Sequence, residues 1–329
     1  MLRASIDLMG GENAPNSILK AASNFNNVHF VFTGTESVKN LIAEYKIANY
    51  SFIEAKIVLE EGVRFSNAEL EQSSLYIAIE QVRDGNADFV LSAGPSGYYM
   101  LMARRILGTI ANLNRPALAA IIPTTKGSSV MLDLGANLTC DAIDLAKFAV
   151  MGAALSKFWL GNKIPKVGFV NVGSELGKGP ENIKKALDIF SKIQQEATGS
   201  FIECNYIMRG DCDVIVADGF VGNCILKFAE GIAVFFRNRL KNALTGNIFT
   251  KTIALLLRKD LKRSIVDPKQ YNGAIFAGIN GCIVKAHGSS DAIAFQAAIS
   301  VGIKVGCNKK ELIKAIEEGL NACDLQNIE

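Results

Sequence analysis

Six segments of this 329-residue chain share one local pattern: a short apolar run, a polar hydrogen-bonding residue, and then glycine. Asp7 precedes Met9-Gly10-Gly11, Ser92 precedes Gly94-Pro95-Ser96-Gly97, Asp133 precedes Gly135-Ala136-Asn137, and Asn171 precedes Gly173. Asp218 leads into Gly219-Phe220-Val221-Gly222-Asn223, and His287 into Gly288-Ser289-Ser290-Asp291. Glycine behind a strand lets backbone N–H groups approach an anion, and a following helix N-terminus adds partial positive charge. Taken singly, each loop is equally well a tight turn with a capped helix. Six loops of one kind predict one cleft, lined by segments distant in sequence and suited to phosphate.

The elements that must position these loops alternate between short apolar runs and longer stretches of helical period, the pattern of a mostly parallel α/β sheet. Strands are expected over 2–8, 28–33, 87–92, 117–122, 129–134, 166–172, 201–207, 213–217 and 281–286. Helices are expected over 67–84, 97–110, 141–159, 180–195, 222–244, 248–263, 291–304 and 309–320. Ser66-Asn67 caps the first of these, and Gly85 ends it. No repeat or Pro/Gly/Ser linker interrupts the pattern, so a single domain over 1–329 is expected.

Several chemistries are excluded. No G-x-G-x-x-G, G-x-S-x-G or H-E-x-x-H motif occurs, and Gly173-Ser174-Glu175-Leu176-Gly177-Lys178-Gly179 lacks the spacing and the Ser or Thr of a magnesium-binding phosphate loop. Two histidines and seven scattered cysteines offer no zinc spacing, so no metal or cofactor is expected and the thiols read as reduced, in a cytoplasmic protein. The start reads as a strand rather than a signal peptide, and no uninterrupted apolar run approaches the roughly 18 residues of a membrane span. A net charge of +3 is too small for general nucleic-acid binding.

The strand-end residues carry a resemblance. Ile6-Asp7-Leu8-Met9-Gly10-Gly11-Glu12-Asn13-Ala14-Pro15, Arg115-Pro116-Ala117-Leu118, Leu132-Asp133-Leu134-Gly135-Ala136-Asn137, Asp218 to Asn223, Asn280-Gly281 and His287-Gly288-Ser289-Ser290-Asp291 occur in order along nearly the whole length. Together with Val167 to Gly173, this set resembles the bacterial phosphate acyltransferases of phospholipid synthesis. The resemblance implies a Rossmann-like three-layer α/β/α sandwich, doubly wound, similar to phosphotransacetylases and isocitrate or isopropylmalate dehydrogenases, acting as a homodimer. It implies transfer of a long-chain acyl group from acyl carrier protein to inorganic phosphate. The acyl phosphate would then feed a glycerol-3-phosphate acyltransferase in the membrane.

That reaction needs a phosphate site, donors for a thioester oxyanion, an acid for the leaving thiolate and an apolar slot. Gly10, Gly11, Gly135, Gly222, Ser289 and Ser290 are the candidate phosphate cradle, with Lys126 or Lys178 adding charge. Asn137, Asn171 and Asn223 are candidate oxyanion donors, and His287 is the candidate acid. Asp7, Asp133, Asp218 and Asp291 are expected to orient loops, because a carboxylate beside phosphate is repulsive. Two stretches depart from the family pattern: Glu69-Leu70-Glu71-Gln72 stands where a basic run is usual, and Pro95 where an asparagine is usual.

Residues 237–263 hold Arg237, Arg239, Lys241, Lys251, Arg258, Lys259, Lys262 and Arg263 against Asp260 alone, a local +7. Phe249, Ile253, Leu256 and Leu257 fall on one helical face within it. This predicts a basic helical protrusion over about 230–265 that docks on a membrane surface, on acidic carrier protein, or on a second subunit. Two other functions compete: a phosphotransacetylase-like enzyme using acyl coenzyme A, and a non-catalytic membrane-associated scaffold of the same fold.

Overall fold

In the computed structural model, residues 1–193, 197–245 and 268–325 are described. The expected helix over 248–263, with Phe249, Lys251, Ile253, Leu256, Leu257, Arg258, Lys259, Lys262 and Arg263, lies outside them. The chain builds an eleven-stranded sheet in the order β3-β2-β1-β4-β11-β10-β5-β6-β9-β7-β8. The strands are β1 (Leu2–Asp7), β2 (Val28–Gly34), β3 (Tyr50–Glu54), β4 (Phe89–Ser92), β5 (Ala117–Thr124) and β6 (Gly127–Leu132). They continue as β7 (Lys166–Val170), β8 (Thr198–Ile202), β9 (Val214–Val216), β10 (Ala274–Ala277) and β11 (Ile283–Lys285).

Strand direction modifies the expectation of one cleft fed by six parallel exits. β3, β2, β1, β4 and β11 run parallel, whereas β10 is antiparallel to both β11 and β5, and β5 is antiparallel to β6. β6, β9, β7 and β8 are parallel to one another. The β5–β6 hairpin therefore turns the second half of the sheet over. The loops after β1, β4 and β11 leave one edge of the sheet, and those after β6, β7 and β9 leave the other.

Helices cover both faces. On one face α1 (Asn16–Ala22), α2 (Glu36–Glu44), α6 (Ala142–Leu155), α7 (Glu181–Ile193), α9 (Ala292–Gly306) and α10 (Lys309–Leu325) pack against a single continuous core. Phe30, Phe32, Phe89, Phe148, Phe169 and Phe295 lie within it, each buried. The opposite face has two separate clusters. α3 (Asn67–Glu71), α4 (Ser74–Arg83) and α5 (Ser96–Leu107) bury Val90, Phe276 and Ile283, while the start of α8 (Gly219–Thr245) buries Ala120, Ile122 and Ile215. Between α5 and α8, Leu118 of β5 and Ala274 of β10 are left only partly covered.

The expected helix over 67–84 is two helices. Ser73 breaks it: its hydroxyl caps α4 by accepting from Tyr76 N at 3.2 Å, and Ser74 N donates to Ile57 O at 3.1 Å. The segment before α3 thereby pairs with the chain that would have continued the helix. β3 and β10 were not expected from the sequence. Both are short, and β3 lies at an edge with little buried apolar surface.

Candidate functional site

The gap between α5 and α8 is a cleft of about 1780 Å³. Its floor follows from the two-residue period of the strands. Ala117 and Ala119 of β5 belong to the continuous core, so Leu118, Ala120 and Ile122 face the cleft, as do Ala274 and Phe276 of β10. Met100 and Leu101 of α5 form one wall, and Leu226, Ala229 and Ala233 of α8 form the other. The floor and walls are thus mostly apolar, with polar loops at each end.

At one end Gly11, Gly94, Pro95, Ser96, Gly97, His287 and Gly288 come together. Gly11 has φ +102°, and a Cβ there would lie 2.9 Å from Gly288 O, so only glycine allows the loops after β1 and β11 to meet. Glu12 N donates to Gly288 O at 2.8 Å, and Asn13 Nδ2 to Ser289 O at 3.2 Å. Asp7 is buried and accepts from Ser92 Oγ at 2.6 Å and from Met9 N at 3.0 Å. Burial raises its pKa, and the donors from Ser92, Ser74 and Met9 oppose that rise. Asp7 therefore joins the end of β1 to the end of β4 and the loop that follows β1. Pro95 stands at the N-cap of α5 and offers no side-chain cap, so the first-turn N–H groups of Ser96 and Gly97 border the cleft.

His287 is exposed on the same loop. Its Nδ1 lies 2.9 Å from Ser289 Oγ and 3.3 Å from the Ser289 backbone N–H. A backbone N–H can only donate, so Nδ1 accepts and the neutral ring carries its proton on Nε2. Ser290 is buried and donates to His287 O at 2.6 Å, and Asn272 Nδ2 donates to Ser290 Oγ at 3.1 Å. Ser290 thus shapes the loop, while Ser289 stays exposed. Asp291 caps α9, accepting from Ala294 N at 3.1 Å.

The opposite wall holds Gly135, Ala136, Leu138 and Asn223. Asp133 is buried beneath it, with Oδ1 accepting from Leu118 N, Gly135 N and Ala136 N at 3.0–3.2 Å and Oδ2 from Asn137 N at 2.7 Å. The Asn137 amide donates to Asp133 Oδ2 at 2.9 Å and to Pro116 O at 2.8 Å, which occupies both of its donors. Asn137 is a scaffold residue in this structure rather than a free donor. Asp218 accepts from Val221 N at 2.8 Å and starts α8. A side chain at Gly222 would collide with Asp133 O, so this glycine sets how closely α8 approaches. Asn223 is exposed and borders the cleft.

Three candidates lie elsewhere. Asn171 is buried and donates to Lys178 O at 3.0 Å, pinning the Gly173–Gly179 loop, and neither borders the cleft. Lys178 pairs with Glu175 at 2.7 Å, and that carboxylate raises its pKa. Lys126 pairs with Asp211 at the β5–β6 turn. Lys126 lies in the turn of the β5–β6 hairpin, and β7, whose exit carries Asn171, is separated from β6 by β9.

Lys285 was not singled out from the sequence. It is the last residue of β11, level with Ser92 and Ala274, and alternation with Val284 turns it toward the cleft. Its Nζ donates to Ala286 O. Burial brings its pKa down to about 8, against the attraction of Glu61 and Asp7. The alternation of β11 was the signal available in the sequence.

Residues 2–312 match the family model described as "Fatty acid synthesis protein". The chain belongs to that family. Among the family's curated members, the phosphate acyltransferase of Anaplasma phagocytophilum is 37% identical over 316 residues, covering 91% of each chain. The phosphate acyltransferase of Rhodospirillum centenum is 40% identical over 310 residues, covering 90% of this chain and 87% of the other. The fold is also similar to a phosphotransacetylase from Streptococcus pyogenes, with a TM-score of 0.64 at 15% identity over 93% of this chain and 94% of the other. This family fold is a three-layer α/β/α arrangement, as the sequence led us to expect.

Among the described residues, α8 carries several of the most exposed large apolar side chains. Phe228, Phe235 and Phe236 are 73%, 52% and 64% exposed, and Arg239 lies over the Phe235 ring at 5.5 Å. Arg237 and Lys241 are exposed on the same helix. Residues Gly219–Leu244 are long and apolar enough to cross a membrane by composition alone. Their start, however, is fixed to the Asp133 loop through Gly219 N, which donates to Asn137 O at 2.7 Å.

Proposed function

We propose that the chain transfers a long-chain fatty acyl group from acyl carrier protein to inorganic phosphate, releasing acyl phosphate and the carrier thiol. The acyltransferase activity follows from family membership, and the single feature that supports the long-chain substrate is the form of the cleft. A volume of about 1780 Å³ exceeds the roughly 300–1,000 Å³ of ordinary small-molecule pockets. Its apolar floor suits an acyl chain, and its glycine-rich end suits an anion.

Phosphate held at the Gly11–Gly288 end attacks the thioester carbonyl carbon; the C–S bond breaks and the sulfur leaves as a thiolate. Inorganic phosphate is the nucleophile, so no protein nucleophile is required. The Nε2–H of His287 is a donor at that end that can serve the oxyanion as it forms and then the departing thiolate. Asn223, on the facing wall, is the one of the three candidate asparagines that borders the cleft. Asp7, Asp133 and Asp218 hold the loops in place.

The exposed aromatic and cationic face of α8 supports docking by this protein in the cytoplasm on a second subunit, on acidic carrier protein, or on the inner face of the membrane. In that place acyl phosphate would pass to a membrane glycerol-3-phosphate acyltransferase. The two departures from the family pattern have local structural roles. Glu69 closes a capping box with Ser66, Glu71 pairs with Arg105 at 3.1 Å, and Pro95 begins α5.

The test is thiol release from long-chain acyl carrier protein or long-chain acyl coenzyme A, each with and without phosphate. Release that requires phosphate and prefers the carrier protein supports the proposal. Preference for coenzyme A assigns the donor to the competing reading, and no release with either donor favours a scaffold.

A further inference from the structure

Lys285 is an electrostatic anomaly of the cleft. Lys285 is half-buried, yet among the described residues it makes no ion pair, and its one hydrogen bond goes to the carbonyl of its neighbour Ala286. An ammonium has three donors, so two have no protein acceptor. Asp7 and Glu61 attract it only through space, and the nearer polar groups of Asp7 are already engaged by Ser92 and Met9.

What surrounds its head is suited to an anion. Lys285 borders the cleft beside Gly11, Gly94, Ala286 and Gly288, with the uncapped start of α5 in the same wall. α5, twelve residues long and without a side-chain cap, starts just after Ser92, the β4 neighbour of Lys285, so one anion could meet both its first-turn N–H groups and a cation that lacks an ion pair.

Resting on the acyl-transfer reading above, we propose that Lys285 is the cationic ligand of phosphate, fixing the nucleophile between the start of α5 and the Gly11–Gly288 contact. Phosphate supplies the missing counter-ion, and the ammonium holds one phosphate oxygen while another attacks. Lys126 and Lys178, already paired with Asp211 and Glu175, do not take this part. The groups facing Lys285 that also titrate are Asp7 from β1, Glu61 from the segment after β3, and His287 on its own strand's exit. Glu12, Glu60 and Arg104 border the same cleft.

The test compares the wild-type protein with Lys285→Met and Lys285→Arg. Calorimetric titration with inorganic phosphate alone, at pH 7, should show affinity weakened roughly 10- to 100-fold in Lys285→Met and partly restored in Lys285→Arg. The KM for phosphate should rise by a similar factor while the KM for acyl carrier protein stays within about twofold. The Lys285→Met melting temperature without phosphate should not fall, because the variant removes a half-buried charge that has no ion pair. Should Lys285→Met fail to fold, a purely structural role is indicated and the proposal is overturned. Unchanged phosphate affinity in a folded Lys285→Met overturns it as well, even if acyl transfer is intact. Phosphate binding that depends on Lys285 in a protein without acyl transfer would instead sustain this inference and sink the functional reading.

Discussion

Ser92 donates its hydroxyl hydrogen to Asp7 Oδ2 at 2.6 Å, and the same hydroxyl accepts from Gly94 N at 2.9 Å. Ser92 is fully buried, so this one side chain ties the end of β1 to the loop that begins α5. Ser92→Ala leaves a buried carboxyl and a buried N–H each short of a partner. We expect a loss of about 1–3 kcal/mol in urea unfolding, together with a weaker response of the melting temperature to added phosphate.

The charge state of Lys285 gives a pH dependence with a definite sign. Its pKa is about 8 in the fold against an ordinary 10.5. The cation that binds phosphate is therefore present below about pH 8 and lost above it. kcat/KM for phosphate should fall about tenfold per pH unit beyond that point. Stability runs the other way: the fold disfavours the charged form, so the Lys285 contribution improves as pH rises from about 8 toward 10.5. Lys285→Met should abolish both trends, read from pH profiles of phosphate KM and of the melting temperature.

Ala120 is a small residue on the cleft floor between Leu118 and Ile122. A phenylalanine there would fill the groove along which an acyl chain extends. Ala120→Phe should shift the preferred donor toward shorter chains, lowering kcat/KM for a sixteen-carbon acyl carrier protein by roughly tenfold or more while sparing a short-chain one. Chain-length profiles of the two proteins check this.

How much of this was legible in the sequence depends on the kind of fact. Gly11, Gly222 and His287 announce themselves because backbone approach and imidazole chemistry are properties of residue type. The sense in which β6 runs is not such a property: the hairpin at Thr124 to Gly127 looks from sequence like any loop between two apolar runs. Nor is strand order such a property: β9 comes between β6 and β7, which sets Asn171 and Lys178 apart from the cleft. Asn137 carried the right amide but spends both donors on Asp133 and Pro116. Lys285 was hidden for the opposite reason, since a single lysine at a strand end signals only solvent until the helices on both sides are in place.

Phe228, Phe235 and Phe236 expose more of their rings than a lone helix in water favours. Replacing all three with serine should leave the cleft and phosphate-dependent turnover of soluble donor intact. The variant should lose self-association in analytical ultracentrifugation, or lose flotation with anionic vesicles. Retention of both would show that α8 docks through another face.

The central claim is that phosphate is the acceptor of the acyl group, and radiolabelled inorganic phosphate tests it most directly. Purified protein incubated with labelled phosphate and long-chain acyl carrier protein should form labelled acyl phosphate, one molecule for each carrier thiol released, saturating as phosphate increases. Thiol release with no label in the acyl product would contradict the account.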